Sequence, residues 1–141
     1  MRTYVNNDIY NALPEGLKEN IINTKVVSGH GSTSGETNFI SEDKIYLLST
    51  KEVWGKEGKI TIVNDTAETE TRQLDYYKAN GVTTDSYSGA IKNYNGSSNT
   101  WWLRSASSVS TDCFHIVIDD GDSRSGVFAN FTNGVAVAFR I

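Results

Sequence analysis

The sequence predicts an α+β fold in which a twisted antiparallel sheet is flanked by two or three helices. Two observations carry that expectation. Helical signals come first, then a short strand and another helix, and finally a run of strands, an order that places helices beside an antiparallel sheet. The composition, 38% hydrophobic, 11% aromatic and 21% charged, is that of an ordinary globular chain and unlike disorder, collagen or a coiled coil. At 141 residues the chain has the size of one domain. A chain of roughly 150 residues buries about 70% of its unfolded surface, enough for one proper core, so residues 1–141 are read as a single domain.

Residues 2–5 are expected to form a first strand that pairs with the last and brings the termini together. A short helix is expected over residues 7–13. A second starts at Pro14, whose missing N–H costs nothing at the first helical position. Its Leu17, Ile21 and Ile22 fall at i, i+4 and i+5, one apolar stripe facing a core. Residues 28–38, rich in Gly, Ser and Thr, read as a loop. Residues 43–48 form a short apolar strand, after which Ser49 or Thr50 caps a brief helix ending at Trp54-Gly55. Residues 59–63 read as a strand or an extended loop. A helix is expected over residues 69–80, with Leu74, Tyr77 and Tyr76 on its inner face and Asn80-Gly81 as its left-handed stop. Residues 82–99 are polar again, and strands are expected over 100–105, 114–119, 127–130 and 135–141.

The net charge of -4 and the lack of a Lys/Arg cluster exclude a nucleic-acid partner. The longest apolar stretches, residues 45–48 and 135–139, fall far short of the roughly 18 residues that span a bilayer, and no signal-peptide pattern opens the chain, so no membrane insertion is expected. The opening residues already read as domain interior, which fits a module excised from a larger protein; a cell surface or virion is the location favoured on that reading. A single cysteine, Cys113, excludes an internal disulfide and a multi-cysteine zinc site.

Charge changes character along the chain. From Asn93 onward there is no Lys, Glu or Gln at all. A buried, strand-rich end would need few long charged side chains, and that bland explanation stays open. Yet the stretch 107–133 mixes Val109, Asp112, Cys113, His115, Ile118, Asp119, Asp122, Arg124, Val127, Phe128 and Phe131 without clean alternation. Apolar side chains at solvent-facing positions on one face point to a binding site. These eleven residues are the candidate ligand-binding set. Phe128, Phe131, His115 and Arg124 lead it, because aromatic and Arg anchors dominate binding energy; core packing is the competing role for the two phenylalanines.

Trp101-Trp102-Leu103-Arg104-Ser105 and the closing run from Gly134 to Ile141 resemble the WWLRS and GVRPAFRI motifs of a large prokaryotic and phage family of uncharacterised domains. The resemblance extends to residues 4–10, 43–49 and 79–81 and so spans nearly the whole chain; Ala136-Val137 stands where the family usually carries Arg-Pro. It implies a C-type-lectin-like fold with paired terminal strands. That fold includes the variable proteins of diversity-generating retroelements, whose C-terminal residues are rewritten by adenine-directed mutagenesis of asparagine codons. Such rewriting never yields Lys, Glu, Gln, Met or Trp, and residues 109–131 contain none of these. The variable region would then lie at about 107–133. An undiversified member of the same fold is the competing reading.

On this reading the buried side chains of Trp101, Trp102 and Leu103, with Val135, Val137 and Phe139, supply a frame worth about 1.5 to 3 kcal/mol for each fully buried large residue. Arg104 is expected to make a structural contact. A Cys113–His115 catalytic pair lacks a third orienting group, the Asp119-Asp120-Gly121-Asp122 run lacks the spacing of a calcium loop and reads as a solvated turn, and His30 and His115 lack partners for zinc. No catalytic residue, cofactor or metal is expected. The sequence therefore reads as a binding module, a receptor-recognition or adhesin domain for a protein or glycan on a cell or host surface. The alternative is a structural or assembly module of a larger surface or phage tail protein.

Overall fold

The structure, a computed structural model, describes residues 1–55 and 71–141. The strand expected over residues 59–63 and the first residues of the helix expected over 69–80 lie outside the described residues. What is described is α+β, with its strands paired antiparallel.

The chain opens as helix, not as the strand expected over residues 2–5. Arg2–Tyr4 and Tyr10–Ala12 are α-helical and Val5–Ile9 between them is a π turn; together they form α1. Val5, Ile9 and Leu13 recur every fourth residue, and this edge packs on Ile21 and Ile45. An extended segment would point alternate side chains away from that core. α2, Glu15–Lys18, follows, with Pro14 just outside its first turn. The stripe expected to continue to Ile22 stops there: Ile21 is buried, but Ile22 is 54% exposed and bridges Arg140.

β1, Thr24–Ser28, pairs with β2, Phe39–Asp43, on either side of the expected loop. The chain changes sheets at Lys44, whose ammonium donates to the Ile21 carbonyl at 2.6 Å. β3, Ile45–Leu47, then takes as its partner the strand β9, Val137–Phe139. The last strand thus pairs with the middle of the chain, and the expected pairing of the two termini does not form.

α3, Thr50–Trp54, carries the cap its sequence announces. The Ser49 hydroxyl accepts from the Glu52 N–H at 3.2 Å while the Glu52 carboxylate accepts from the Ser49 N–H at 2.8 Å, satisfying two otherwise orphaned donors. Gly55 ends the helix at φ 73°. α4 spans Asp75–Ala79, shorter than expected. Its approach is held extended, because the Leu74 N–H donates to the Glu52 carbonyl and the Gln73 amide bridges the carbonyls of Val53 and Val82. Tyr77 faces the core as expected, whereas Tyr76 is 58% exposed.

β4, Lys92–Tyr94, and β5, Ser97–Asn99, form a hairpin within the stretch read as polar loop. Asn95 and Gly96 at its tip both have positive φ, as a two-residue type I′ turn requires. β6, Trp101–Ala106, β7, Cys113–Val117, and β8, Ser123–Phe128, form a three-stranded sheet in that order. Among the described residues the strands therefore divide into four small sheets, where one twisted sheet was expected. Single backbone bonds knit them together: Arg104 N–H to the Leu48 carbonyl, Trp102 N–H to that of Gly134, and Gly134 N–H to that of Thr100.

Trp101 and Leu103 sit in the larger core with Tyr46, Val53, Trp54 and Tyr77. The buried indoles keep their N–H groups bonded, Trp101 to the Ala90 carbonyl and Trp54 to that of Gly121. Val5, Ile21 and Ile45 form the smaller core under α1.

Candidate recognition surface

Of the expected frame, Trp101, Trp102 and Leu103 are buried, while Val135 and Val137 are half-buried and Phe139 lies at the surface. Arg104 makes the structural contacts expected of it. Its guanidinium pairs with Glu52, donates to the carbonyls of Val27 and Leu47 at 3.2 and 2.9 Å, and lies over the Tyr46 ring. One side chain thereby joins β6 to β1, β3 and α3.

The eleven candidate residues do not gather into one patch. Cys113 and His115 are turned inward, at 5% and 1% exposure, so neither belongs to an outer surface. The strand's period of two puts residues 113, 115 and 117 on one face, all three buried, and Ile116 on the other face is buried as well, so this central strand is covered on both sides there. Ile118, Asp119 and Asp122 lie at the β7–β8 turn, at the opposite end of β7 from Cys113. Four steps of about 3.3 Å put those ends about 13 Å apart.

That turn is docked on the body of the protein. The Gly121 carbonyl accepts from the Trp54 indole at 3.3 Å, and a side-chain carbon on Gly121 would collide with the Tyr87 carbonyl. The Asp122 N–H donates to the Asp120 carboxylate and the Ser123 N–H to that of Asp122, so these acids close the turn on itself. Among the described residues no group of three or more His, Cys, Asp or Glu could hold a metal ion.

The other end of the sheet presents apolar groups to solvent. Val109 is 69% exposed in the β6–β7 loop, and Phe128 and Phe131 are 50% and 60% exposed. Their rings stack at 6.3 Å between centroids, 20° from parallel. The Phe131 N–H bonds the Phe128 carbonyl at 3.0 Å, and the Ala129 N–H bonds the Asp112 carbonyl at 2.9 Å, which pins this turn to the neighbouring loop. Asp112 is exposed and accepts from the Ser110 hydroxyl at 2.6 Å, which holds its carboxyl below the usual range. Core packing is thus not the role of either phenylalanine.

Arg124 is exposed and Val127 half-buried on β8, the edge strand. Phe114 faces Val127 and Ile116 faces Arg124, so β8 advances one residue more than β7 between the two pairs. Gly126, at φ 73°, lies in that bulge.

Beside this end lies a feature the candidate set missed. An inner cavity of about 270 Å³ opens between α1, the β1–β2 ribbon and the three-stranded sheet, and is walled mainly by apolar atoms, among them those of Val26, Tyr46, Trp102 and Phe114. At its lining Asp43, 4% exposed, receives Arg2 at 2.8 and 2.9 Å and the Ser41 hydroxyl at 2.6 Å, and the Arg2 guanidinium lies over Phe39. A second, more polar hollow of about 630 Å³ lies between residues 29–40 and 106–114. Gly29, Phe39 and Phe114 line both. The walls come from segments far apart in sequence; the only local signal was the pair of apolar residues Phe39-Ile40 closing a polar loop.

Fold and site together define an α+β domain that holds a Trp-Trp-Leu strand inside and an aromatic turn outside. The chain belongs to the family described as Domain of unknown function (DUF6273), whose model matches residues 1–141. Comparison with curated proteins and with solved structures returned no match.

Proposed function

We propose that this domain is a ligand-binding module of C-type-lectin-like type and not an enzyme, with its recognition surface at the Cys113–Phe128 end of the three-stranded sheet. Val109, Asp112, Phe128 and Phe131 form that surface, and Arg124 and Val127 extend it along β8. The observation that carries this reading is the stacked Phe128–Phe131 pair, two large rings at least half exposed on a turn fastened to its neighbour. Burying such rings against a partner is favourable by about 25 cal/mol per Å² of apolar surface, and aromatic anchors dominate measured binding energies. The ligand is a protein or glycan on a cell or host surface.

Diversification of residues 107–133 belongs to the same reading. Sequencing this locus in sibling genomes tests it: replacements should concentrate at asparagine-codon positions between Val109 and Phe131, beside a near-identical template and a reverse-transcriptase gene. Uniform drift along the chain would refute that part.

The binding reading is tested on the protein itself. The domain is screened against arrays of cell-surface proteins and glycans, and every hit is repeated with Phe128→Ala/Phe131→Ala. Hits should weaken at least tenfold in the variant with thermal melting retained. Hits that persist unchanged, or a variant that no longer folds, would remove the proposed surface.

A further inference from the structure

We infer that the partner is a protein that inserts one aromatic side chain into the inner cavity, with its adjoining backbone in the polar hollow outside. The inference rests on the binding-module reading and decides between its two ligand classes. A cavity of about 270 Å³ is larger than the roughly 150 Å³ apolar cavity known to hold benzene, and so has room for one phenyl or indole group. Its lining includes Tyr46, Trp102 and Phe114, which suit a ring, and its mainly apolar wall offers the hydroxyl groups of a glycan few hydrogen-bond partners.

Charge points the same way. Arg2 and Asp43 neutralise each other at the cavity, and Arg104 is paired with Glu52, so the ion pairs on this wall present no uncompensated charge to an ionic ligand. A neutral apolar group is what this wall selects. The neighbouring hollow is more polar, and Thr37 and Thr111 are among its lining residues, a chemistry able to bond the N–H and C=O groups flanking an inserted side chain. Gly29, Phe39 and Phe114 line both spaces, which places the two side by side. Ala129 lines the cavity between Phe128 and Phe131 in sequence, so an inserted residue lies next to the stacked rings.

The probes are N-acetyl-tryptophanamide, N-acetyl-alaninamide and methyl glucoside, titrated into the isotopically labelled domain and followed by protein NMR. The tryptophan amide should shift the Trp102 indole N–H and the amides of Phe39 and Phe114, with a millimolar Kd; the other two should leave them in place. Ala129→Trp narrows the cavity from one wall and Ser28→Phe from the other. Each folded filler should weaken the tryptophan amide at least fivefold, and Phe131→Ala should bind it as the parent does. Equal shifts from the alanine amide or the glucoside, no shift from the tryptophan amide, or a folded filler without effect would overturn the inference. Because Phe131→Ala spares the cavity while Ser28→Phe spares the stacked rings, failure of the cavity and failure of the outer surface are read separately.

Discussion

Arg104 and Glu52 form a largely buried ion pair that ties the tryptophan-bearing strand to the first turn of α3. Glu52 also closes the capping box, so one carboxylate serves a helix start and a strand at once. Removing one member of such a pair leaves an uncompensated buried charge. Arg104→Met is therefore expected to cost about 3 to 5 kcal/mol in urea unfolding. Glu52→Gln keeps a capping side chain, and adding it to Arg104→Met should cost less than the sum of the two single losses. Strict additivity would show that the pair is not coupled.

Two glycines separate backbone strain from collision. Gly126 has φ 73° with open space around it, so Gly126→Ala should lose about 1 to 2 kcal/mol, the cost of a left-handed residue. Gly121 has φ 94° and in addition faces the Tyr87 carbonyl. Gly121→Ala should lose at least twice as much in the same unfolding experiment, and equal losses would show that the β7–β8 turn is not docked.

Burial pushes the Tyr77 phenol above its ordinary value of 10.0, with Tyr76 and Glu52 adding to the effect. The unfolded chain releases this proton near pH 10 and the folded protein holds it longer. The stability this represents is whole below pH 10 and is lost as pH rises above it. Melting temperatures measured from pH 8 to about 11.5 should fall on the alkaline side, and Tyr77→Phe should make that fall shallower. Burial moves Tyr46 the same way, so some decline remains in the variant.

Tolerance to substitution should split the 107–133 stretch by exposure. Replacements at Val109 and Phe131 are expected to stay within about 0.5 to 1 kcal/mol of the parent. Cys113 and His115 are buried, and large or charged replacements there should cost several times more. A saturation library sorted by protease resistance reads both groups together, and a uniform profile would contradict the inward and outward assignment.

Local chemistry was legible in the sequence and distant partnership was not. The capped helix was readable because Ser49 and Thr50 both suit a helix start, and the structure uses Ser49, whose capping partner Glu52 lies three residues on. Phe128 and Phe131 stood out because large rings sat in a stretch without alternation. A spacing of two puts Cys113 and His115 on a common face of a strand, but which face looks inward depends on the neighbouring strands, so their place in the candidate set was not legible locally. α4 fell short of its expected length because Gln73 and Leu74 bond to α3. The cavity depends on Arg2 meeting Asp43 and Phe39, contacts that no sequence period announces. Residues 2–5 misled because Val5 suits a strand as well as a helix, and only Ile21 and Ile45 decide between them.

The partnership of β3 with β9 carries a consequence for biosynthesis. Ile45 leaves the ribosome well before Phe139, its register partner, and waits for it until the rest of this domain has been made. Closing so wide a loop is slow and entropically costly. Everything between Val109 and Phe131 must be accommodated before this final clasp can shut, so a substitution that traps the chain in a collapsed form leaves the clasp open for proteases. The topology thereby makes closure of this clasp a test of foldability for any replacement in that stretch.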